Sequence, residues 1–336
     1  MLYPNINPAL MTQNAKTPRL GVVPQVNLNN DLPRKPDYSV DSFFVIGRVE
    51  ENGHKLNYLF HIMAMHMPIP IPRVAKKWQV CFSVLDESTN YYVSGDHIYS
   101  DDQVDASTDH FSIKAPNCEM SGTWDNMKIW LKETDFEIDT QASAVHYPVF
   151  TRGSAVFDLF GMVVHQFSIP YMKTTGTLQV EGNTYHLDGD NAVSWFDRQW
   201  QKQNFKLTTE WSWMAIYLDN GDIISILDSV GDTDTPRFMS VLHTDGTLEH
   251  ATDALPFSES ATRNWTSKES GQSYQTRWDL VMPTFDAKLH IEPAIEKQEI
   301  MSAMKKLAKY EGSANVTGTY KGETVTGRAT VELIKI

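Results

Sequence analysis

The sequence predicts an all-β protein, and three observations support that fold class. From Ser42 onward the apolar residues fall in short runs of the kind that form strands. Asn-Gly or Asp-Gly pairs, which favour tight hairpin turns, separate several of these runs, at residues 52–53, 220–221 and 245–246. The runs follow one another at regular spacing, which is typical of β-sandwiches and β-barrels.

The chain divides by its pattern into three predicted parts. Residues 1–40 are rich in Pro and Asn and lack periodicity, so we expect an extended arm there. Residues 41–204 and 205–336 each carry enough strand runs for one β-domain. The hairpin sequences EGNTY and YKGET resemble each other, which suggests two related domains. A weak helical pattern over residues 295–311 predicts one short helix in the C-terminal domain.

Charge and composition restrict the partners. A net charge of -13 argues against nucleic acid and anionic membrane surfaces, because both would repel the chain. The N-terminal sequence has no basic region followed by an apolar run, and no stretch reaches the roughly 20 apolar residues of a membrane span. We therefore predict a cytoplasmic protein, in which Cys81 and Cys118 are reduced thiols. We expect an apolar small-molecule partner.

The stretch SWFDRQWQ, residues 194–201, places one carboxylate between two tryptophans. If it is a strand, alternate side chains share a face, so Asp197 lies beside Trp195 and Gln199 while Arg198 points away. Two further runs present faces of the same aromatic and polar character, which suits a ligand cavity. Their members are Trp211, Trp213, Ala215 and Tyr217 in one run, and His165, Phe167, Ile169 and Tyr171 in the other.

Structural roles compete with these functional ones. Trp195, Trp211 and Trp213 suit core packing as well as a pocket wall. Asp197 is either an acid or a buried carboxylate satisfied by backbone amides, Arg152 or Arg198, because buried charges are usually paired. His165 is likewise either functional or an ordinary core or surface imidazole.

Neither a metal nor a nucleotide cofactor is expected. His61 and His66 lie five residues apart, so on a strand they face opposite ways. The acidic loop at residues 228–234 lacks the Gly and Glu spacing of a calcium loop. The chain contains no Gly-x-Gly-x-x-Gly or Walker motif and no Gly-x-Ser-x-Gly elbow.

The run TTGTLQVEGNTYHLDGDNAVSWFDRQW, residues 174–200, resembles the signature of the AttH / carotenoid 1,2-hydratase family, the lipocalin-like CrtC proteins. Gln201 follows this motif where the family usually has Gly, and Gln275 replaces a family Pro. The resemblance covers about residues 40–336. Further segments match, namely WSWMAIYLDNGDII, RNWTSKESGQSYQTRWDLVMP, YEGSANVTG and VTGRATVEL.

The resemblance implies a fold and a choice of functions. The fold would be two lipocalin-like antiparallel β-domains packed side by side. Family members include hydratases that add water to an isoprenoid double bond without a cofactor, natural-product cyclases including Diels-Alderases, and attachment-type proteins of unknown activity. The hydratases use a His-x-Trp strand and a Tyr-x-Asp strand. Here His165 and Asp197 match, whereas Phe167 replaces the Trp and Trp195 replaces the Tyr.

The chemistry of these reactions assigns roles. Protonating an alkene carbon needs a carboxylic acid in an apolar pocket, which Asp197 beside Trp195 supplies. An aromatic face at Trp195, Trp213 or Tyr217 would stabilise the cation, and His165 would accept the final proton. A pericyclic reaction needs only a shaped cavity and a hydrogen bond to a carbonyl, from Asp197, Gln199 or Tyr171.

We therefore predict a cofactor-independent enzyme of secondary metabolism that cyclises or hydrates an apolar polyene or isoprenoid-like substrate. A non-catalytic carrier of apolar ligands is the alternative. The predicted catalytic residues are Asp197, His165 and Trp195. The predicted substrate contacts are Trp213, Tyr217, Tyr171, Phe167, Gln199 and Trp211.

Overall fold

The computed structural model describes residues 24–65, 77–202, 210–230, 237–251, 257–302 and 308–335. Contacts between Cα atoms divide the chain into two compact units, one holding residues 20–158 and 162–204 and the other residues 159–161 and 205–336. Each unit contains one sheet, and in the described residues the long strands of both sheets pair antiparallel. The predicted all-β fold class is confirmed. The predicted boundaries of the arm and of the two domains stay predictions.

Among the described residues, the first sheet has thirteen strands. Its order is β4-β3-β2-β1-β13-β12-β9-β8-β7-β6-β5, with β10 and β11 also pairing with β12. The strands are β1 (Val40–Glu51), β2 (His54–Met65), β3 (Lys77–Asp86), β4 (Tyr91–Ser100), β5 (Asp105–Ala106), β6 (Phe111–Ala115), β7 (Cys118–Thr123), β8 (Asn126–Lys132), β9 (Phe136–Ala144), β10 (Val149–Phe150), β11 (Val156–Leu159), β12 (Met162–Val180) and β13 (Asn183–Gln201).

In the part of the chain that the structure describes, the second sheet has ten strands in the order β17-β16-β15-β14-β23-β22-β20-β19-β18, and β21 pairs with β22. The strands are β14 (Glu210–Leu218), β15 (Ile223–Val230), β16 (Arg237–Leu242), β17 (Leu248–Ala251), β18 (Ala261–Thr266), β19 (Ser273–Met282), β20 (Ala287–Pro293), β21 (Glu299–Ile300), β22 (Lys309–Tyr320) and β23 (Glu323–Lys335).

The two sheets share one topology. In each, four antiparallel strands lead to a long hairpin formed by the last two strands in sequence, and that hairpin joins the opening meander to the remaining strands. β13 therefore corresponds to β23, and β12 corresponds to β22. The similar sequences EGNTY and YKGET are thus the turns of two corresponding hairpins, β12–β13 and β22–β23.

Helices are short in the described residues. The α-helices α1 (Leu28–Asp31) and α2 (Phe257–Ser260) have one turn each, and 3-10 turns occur at Asp101–Gln103, Thr151–Gly153 and Pro283–Phe285. The helix expected over residues 295–311 is absent from the described part of that segment, because β21 and the start of β22 pair there. Strand pairing thus overrides a weak helix propensity. Residues 303–307 lie outside the described residues. Across the described ranges, no helix is long and apolar enough to cross a bilayer.

Each sheet has a core face and a second face. The core face of the first sheet carries apolar side chains such as Phe43, Phe60 and Phe196, which join one hydrophobic cluster. The alternate residues of the same strands, such as Phe44 and Trp195, are also buried but lie outside that cluster. We call the faces that carry these alternate residues the second faces of the two sheets. A buried second face is unusual for an antiparallel sheet, which commonly exposes one side to water.

Candidate functional site

Asp197 lies on β13, in the middle of the first sheet. Its register partners are Phe44 on β1 and Ser168 on β12. All three are buried. The observed extended strand confirms the parity expected from the sequence, so Asp197, Trp195 and Gln199 share the second face.

Trp195 is the hydrogen-bond partner that distinguishes this carboxylate. Its indole Nε1–H donates to Oδ1 of Asp197 at 2.7 Å. Trp195 is 1% exposed and Asp197 is 8% exposed, so the bond lies in a largely water-free environment. A donor placed against a carboxylate stabilises its ionised form more in such surroundings than in water.

His61 lies two strands away from Asp197, in the same row of register-paired residues on the second face. Phe44 pairs with Asp197 on one side and with His61 of β2 on the other. Neighbouring strands are about 4.8 Å apart, so the Cα atoms of His61 and Asp197 are separated by about 10 Å. The Nε2 atom of His61 lies 2.8 Å from the hydroxyl of Ser42, and its ring meets Phe44 edge-on. The row therefore carries two proton-transfer groups separated by one aromatic ring.

Polar groups extend this face across the outer strands. His61 pairs with Cys81 of β3, which pairs with Asp96 of β4. The amide of Gln79 donates to Asp96 at 3.0 Å. Gln199, beside Asp197 on β13, donates to Gln201 at 3.2 Å. The second face thus combines aromatic rings with neutral and ionisable hydrogen-bonding groups, as ligand sites do.

Arg198 does not pair with Asp197, because it points to the core face. Its guanidinium is fully buried and lies 2.6 Å from Asp41. It also donates to the carbonyls of Asp31, Leu32, Pro33, Ser42 and Gln199 at 3.0–3.2 Å. Burial lowers the pKa of Arg198, and the neighbouring Asp41 opposes that shift. Arg198 therefore holds residues 31–33 against β13.

His165 also lies on the side of the sheet opposite Asp197. It pairs with Trp200, and their rings stack at a centroid distance of 5.1 Å. Tyr38 meets the same imidazole edge-on at 5.8 Å. Burial lowers the pKa of His165, which favours its neutral ring. The structure does not bring the histidine and the aspartate of the predicted site together, and the catalytic role of His165 stays a prediction.

The two other substrate contacts predicted on β12, Phe167 and Tyr171, do not share a face, because the strand has an irregularity between them. Phe167 is fully buried in the core beside Trp200. The register of β12 against β13 shifts between Ile169 and Met172. Both of those residues face the core, so Tyr171 does not share the face of Phe167 as the sequence pattern predicted. The physical reason is the bulge, which inserts one extra residue and reverses the alternation. Tyr171 lies beside His146, at a ring distance of 6.2 Å.

The predicted aromatic face of β14 exists within the second unit. Trp213 and Tyr217 are buried on the second face of that sheet, outside the second hydrophobic cluster. The Trp213 indole donates to the hydroxyl of Ser225 at 3.0 Å. Trp211 is partly buried and donates to Glu332 of β23 at 2.6 Å.

Sequence reasoning missed His61, Ser42 and Ser168 as members of the site. A usable signal existed for His61. The turn at Asn52-Gly53 has positive φ at both residues, as a two-residue hairpin turn requires. That turn fixes the register of β1 and β2 and places His61 opposite Phe44. Ser168 had no such signal, because its position depends on the pairing of β12 with β13.

The sequence expectations about metals and thiols have different outcomes. Within the described residues, no group of three or more His, Cys, Asp or Glu side chains could hold a metal ion. His66, Asp232 and Asp234 lie outside those residues. Cys81 and Cys118 are buried, and neither belongs to a disulfide bond. The expectation that no cofactor is needed stays a prediction.

Comparison with curated proteins finds one distant relative. The chain is 24% identical to "Dehydratase asqC" of Emericella nidulans over 216 residues. That alignment spans 62% of this chain and 61% of the relative.

Solved structures share the fold at low identity. Kievitone hydratase from Nectria haematococca superposes with a TM-score of 0.77 at 18% identity, covering 96% of each chain. A putative AttH from Nitrosomonas europaea gives a TM-score of 0.78 at 16% identity, covering 94% of this chain and 99% of that one. CghA, solved with Sch210972, gives a TM-score of 0.55 at 10% identity and covers 89% of each chain.

The family assignment rests on a match over nearly the whole chain. The AttH-like family model matches residues 22–335 and so includes both sheets and the Asp197 motif. The chain belongs to the AttH-like family.

Proposed function

We propose that this protein is a cofactor-independent enzyme of secondary metabolism that adds water to, or removes it from, a carbon–carbon double bond of an apolar polyene or isoprenoid-like substrate. The observation that carries the proposal is the Asp197 carboxyl. It is buried on the second face of the first sheet and held there by the Trp195 indole at 2.7 Å.

Asp197 is the proposed acid. Hydration begins when its carboxyl transfers a proton to one alkene carbon, leaving a cation at the other carbon and a carboxylate on the enzyme. Water then attacks the cation, and the oxonium that forms loses a proton. The Trp195 N–H stabilises the carboxylate, while the rings of Trp195 and Phe44 offer π-faces to the cation, each contributing about 0.5–2 kcal/mol. Dehydration follows the same steps in reverse.

His61 is the proposed base. It lies in the same row as Asp197, and its Nε2 is 2.8 Å from the Ser42 hydroxyl. A neutral imidazole can accept the proton that the attacking water releases. Because Phe44 lies between them in the row, an alkene and a water would lie over its ring, within reach of both side chains across the Cα separation of about 10 Å. His61 thereby takes the role that the sequence pattern suggested for His165.

The relatives support this reaction class. One solved structure with the same fold is named a hydratase, and the distant curated relative is named a dehydratase. These names describe addition and removal of water, which is one reaction in two directions. The substrate class and the cytoplasmic location are part of the proposal.

Cyclisation is the second candidate. The structural likeness to CghA, solved with the small molecule Sch210972, favours it. On this reading Gln199 and Ser168 donate hydrogen bonds that polarise a carbonyl of the substrate, and the face fixes a reactive conformer. No net addition of water occurs, so the two reactions differ in product mass.

Turnover by matched variants tests the proposal. Purified protein is incubated with a panel of isoprenoid alkenes and their hydrated products, and conversion is followed by mass spectrometry. Asp197→Asn should lower turnover by at least 100-fold, in the range typical of a lost general acid. Asp190→Asn is the control, because Asp190 lies on the same strand with its side chain 84% exposed. Equal turnover by Asp197→Asn and wild type would exclude the acid role, and binding without any conversion would support a carrier.

A further inference from the structure

Ser42 on β1 lies between the two members of the proposed acid–base pair. Its register partners are Met63 on β2 and Gln199 on β13. His61 and Asp197 each lie two residues from one of those partners, so Ser42 is diagonal to both. Diagonal residues on one face of a sheet are about 7–8 Å apart. Ser42 is therefore closer to Asp197 than His61 is, because the Cα atoms of His61 and Asp197 are about 10 Å apart.

Phe44 separates His61 from Asp197 along their own row. It pairs with both residues, and the His61 ring meets it edge-on at a centroid distance of 5.3 Å. A hydrocarbon ring cannot transfer a proton, so the direct line from the acid to the base crosses an apolar group. The diagonal through Ser42 avoids Phe44 and carries a hydroxyl instead.

The Ser42 hydroxyl is already joined to the proposed base. Its oxygen lies 2.8 Å from Nε2 of His61, which is an ordinary hydrogen-bond distance. Ser42 is 8% exposed and His61 is 9% exposed, so both are enclosed but retain some accessible surface. A hydroxyl bonded to an imidazole is the arrangement in which the imidazole can remove the hydroxyl proton.

A second group of buried hydroxyls in the first sheet looks different. The Ser194 hydroxyl lies 2.8 Å from that of Tyr58 and 2.7 Å from that of Thr174. These hydroxyls satisfy one another, as buried polar groups in a core must. Their bonds join hydroxyl to hydroxyl, whereas Ser42 is bonded to a group that can hold a proton.

We propose that Ser42 is a proton relay, whose hydroxyl takes a proton from the attacking water and passes its own proton to Nε2 of His61. This inference rests on the hydration proposed at Asp197 and adds a residue to it. An O–H bond of the water breaks as one forms at Ser42, and the original Ser42 O–H bond breaks as an N–H bond forms on His61. The serine ends unchanged and the imidazole carries the proton. Dehydration reverses each of these bond changes.

The relay requires one tautomer of the neutral His61 ring. Nε2 must lack a hydrogen so that it accepts from Ser42, and Nδ1 must carry the hydrogen. In the opposite tautomer, Nε2 would donate to Ser42 and could not receive the proton there. The position of this hydrogen can be measured without any substrate.

Nitrogen NMR of protein labelled with ¹⁵N-histidine, recorded where the ring is neutral, distinguishes the tautomers. His61→Asn identifies the His61 signals by their loss. We expect hydrogen on Nδ1, and Ser42→Ala should shift the Nε2 signal. Ser240→Ala is the matched control, because its hydroxyl lies 2.8 Å from Nδ1 of His250 in the second unit and its loss should leave the His61 signals unchanged. Hydrogen on Nε2 of His61, or an unshifted signal in Ser42→Ala, would overturn the relay.

Turnover supplies the second readout. Ser42→Ala should lower kcat at least tenfold with a smaller change in KM, as loss of a proton-transfer group does. Ser42→Thr keeps a hydroxyl and should retain more of kcat than Ser42→Ala, while Ser240→Ala should match wild type. Full turnover by Ser42→Ala together with an inactive Asp197→Asn would overturn the relay alone. Full turnover by Asp197→Asn would instead overturn the proposed function, and the relay with it.

Discussion

Replacing Arg198 by Met should lower the free energy of unfolding by about 3–5 kcal/mol, the usual cost of removing one partner from a buried ion pair. Both Arg198 and Asp41 are fully buried, and their charged groups lie 2.6 Å apart. Met keeps much of the apolar contact with Phe43 and Trp200, over which the guanidinium lies at 4.1 and 4.8 Å. The loss therefore reports the uncompensated Asp41 charge and the carbonyls left without a donor.

The structure supplies a matched surface comparison. Lys173 pairs with Asp190 at 2.6 Å, but the two side chains are 50% and 84% exposed. Solvent screens such a pair, so Lys173→Met should cost less than about 1 kcal/mol. The same N–O distance therefore predicts two different costs, because the Arg198 pair is buried and its guanidinium also holds backbone carbonyls.

Urea denaturation at pH 7, followed by tryptophan fluorescence, measures both variants. The double variant Asp41→Asn with Arg198→Met should lose less than the sum of the single losses, because it leaves no unpaired charge. Limited proteolysis should cut the segment around residues 31–33 faster in Arg198→Met than in wild type. A loss below about 1 kcal/mol for Arg198→Met, or strictly additive effects, would refute the reasoning.

Three further predictions follow from other sites. Gly176→Ala should lower the free energy of unfolding by more than about 2 kcal/mol, because φ is +123° and an added Cβ would lie 2.2 Å from the Asp139 carbonyl oxygen. Gly182→Ala is the comparison, since φ is +80° there but the added Cβ meets open space. It should lower the free energy of unfolding by about 1 kcal/mol in the same urea assay. Burial raises the pKa of Cys118 from 9.0 to about 12, so the unfolded chain ionises first and stability falls by about 1.4 kcal/mol per unit as pH rises above 9 towards 12; denaturation of Cys118→Ala should lack this part of the decline. His61→Asn should lower kcat at least tenfold with a smaller change in KM, as loss of a general base does. His290→Asn is the control, because the His290 side chain is 43% exposed. An equal fall in kcat in this control would argue against a specific role for His61.

Much of the fold follows from local sequence signals. Alternating runs and Asn-Gly turns identify the strands and even the register of the first hairpin, because two residues with positive φ close the turn at Asn52 and Gly53. Strand parity likewise places Trp195 and Asp197 on one face. These features depend only on neighbours in sequence, so the sequence alone determines them.

The parts that could not be predicted depend on long-range pairing. The bulge between Ile169 and Met172 reverses the alternation of β12 and separates Tyr171 from Phe167. No composition signal marks it. Likewise, Glu311 on β22 and Glu332 on β23 come to lie opposite each other only when these two strands pair. The helical pattern around residue 300 fails because β21 pairs with β22.

A crystal structure of the Asp197→Asn variant with unreacted substrate tests the central claim most directly. The account predicts that the ligand lies against the second face of the first sheet. One alkene carbon should be within about 3–3.5 Å of the side chain at position 197, the distance of a reactive conformer. The opposite end of the alkene should point towards His61. A ligand bound on the core side of β13 beside His165, or one with no alkene carbon near position 197, would contradict it.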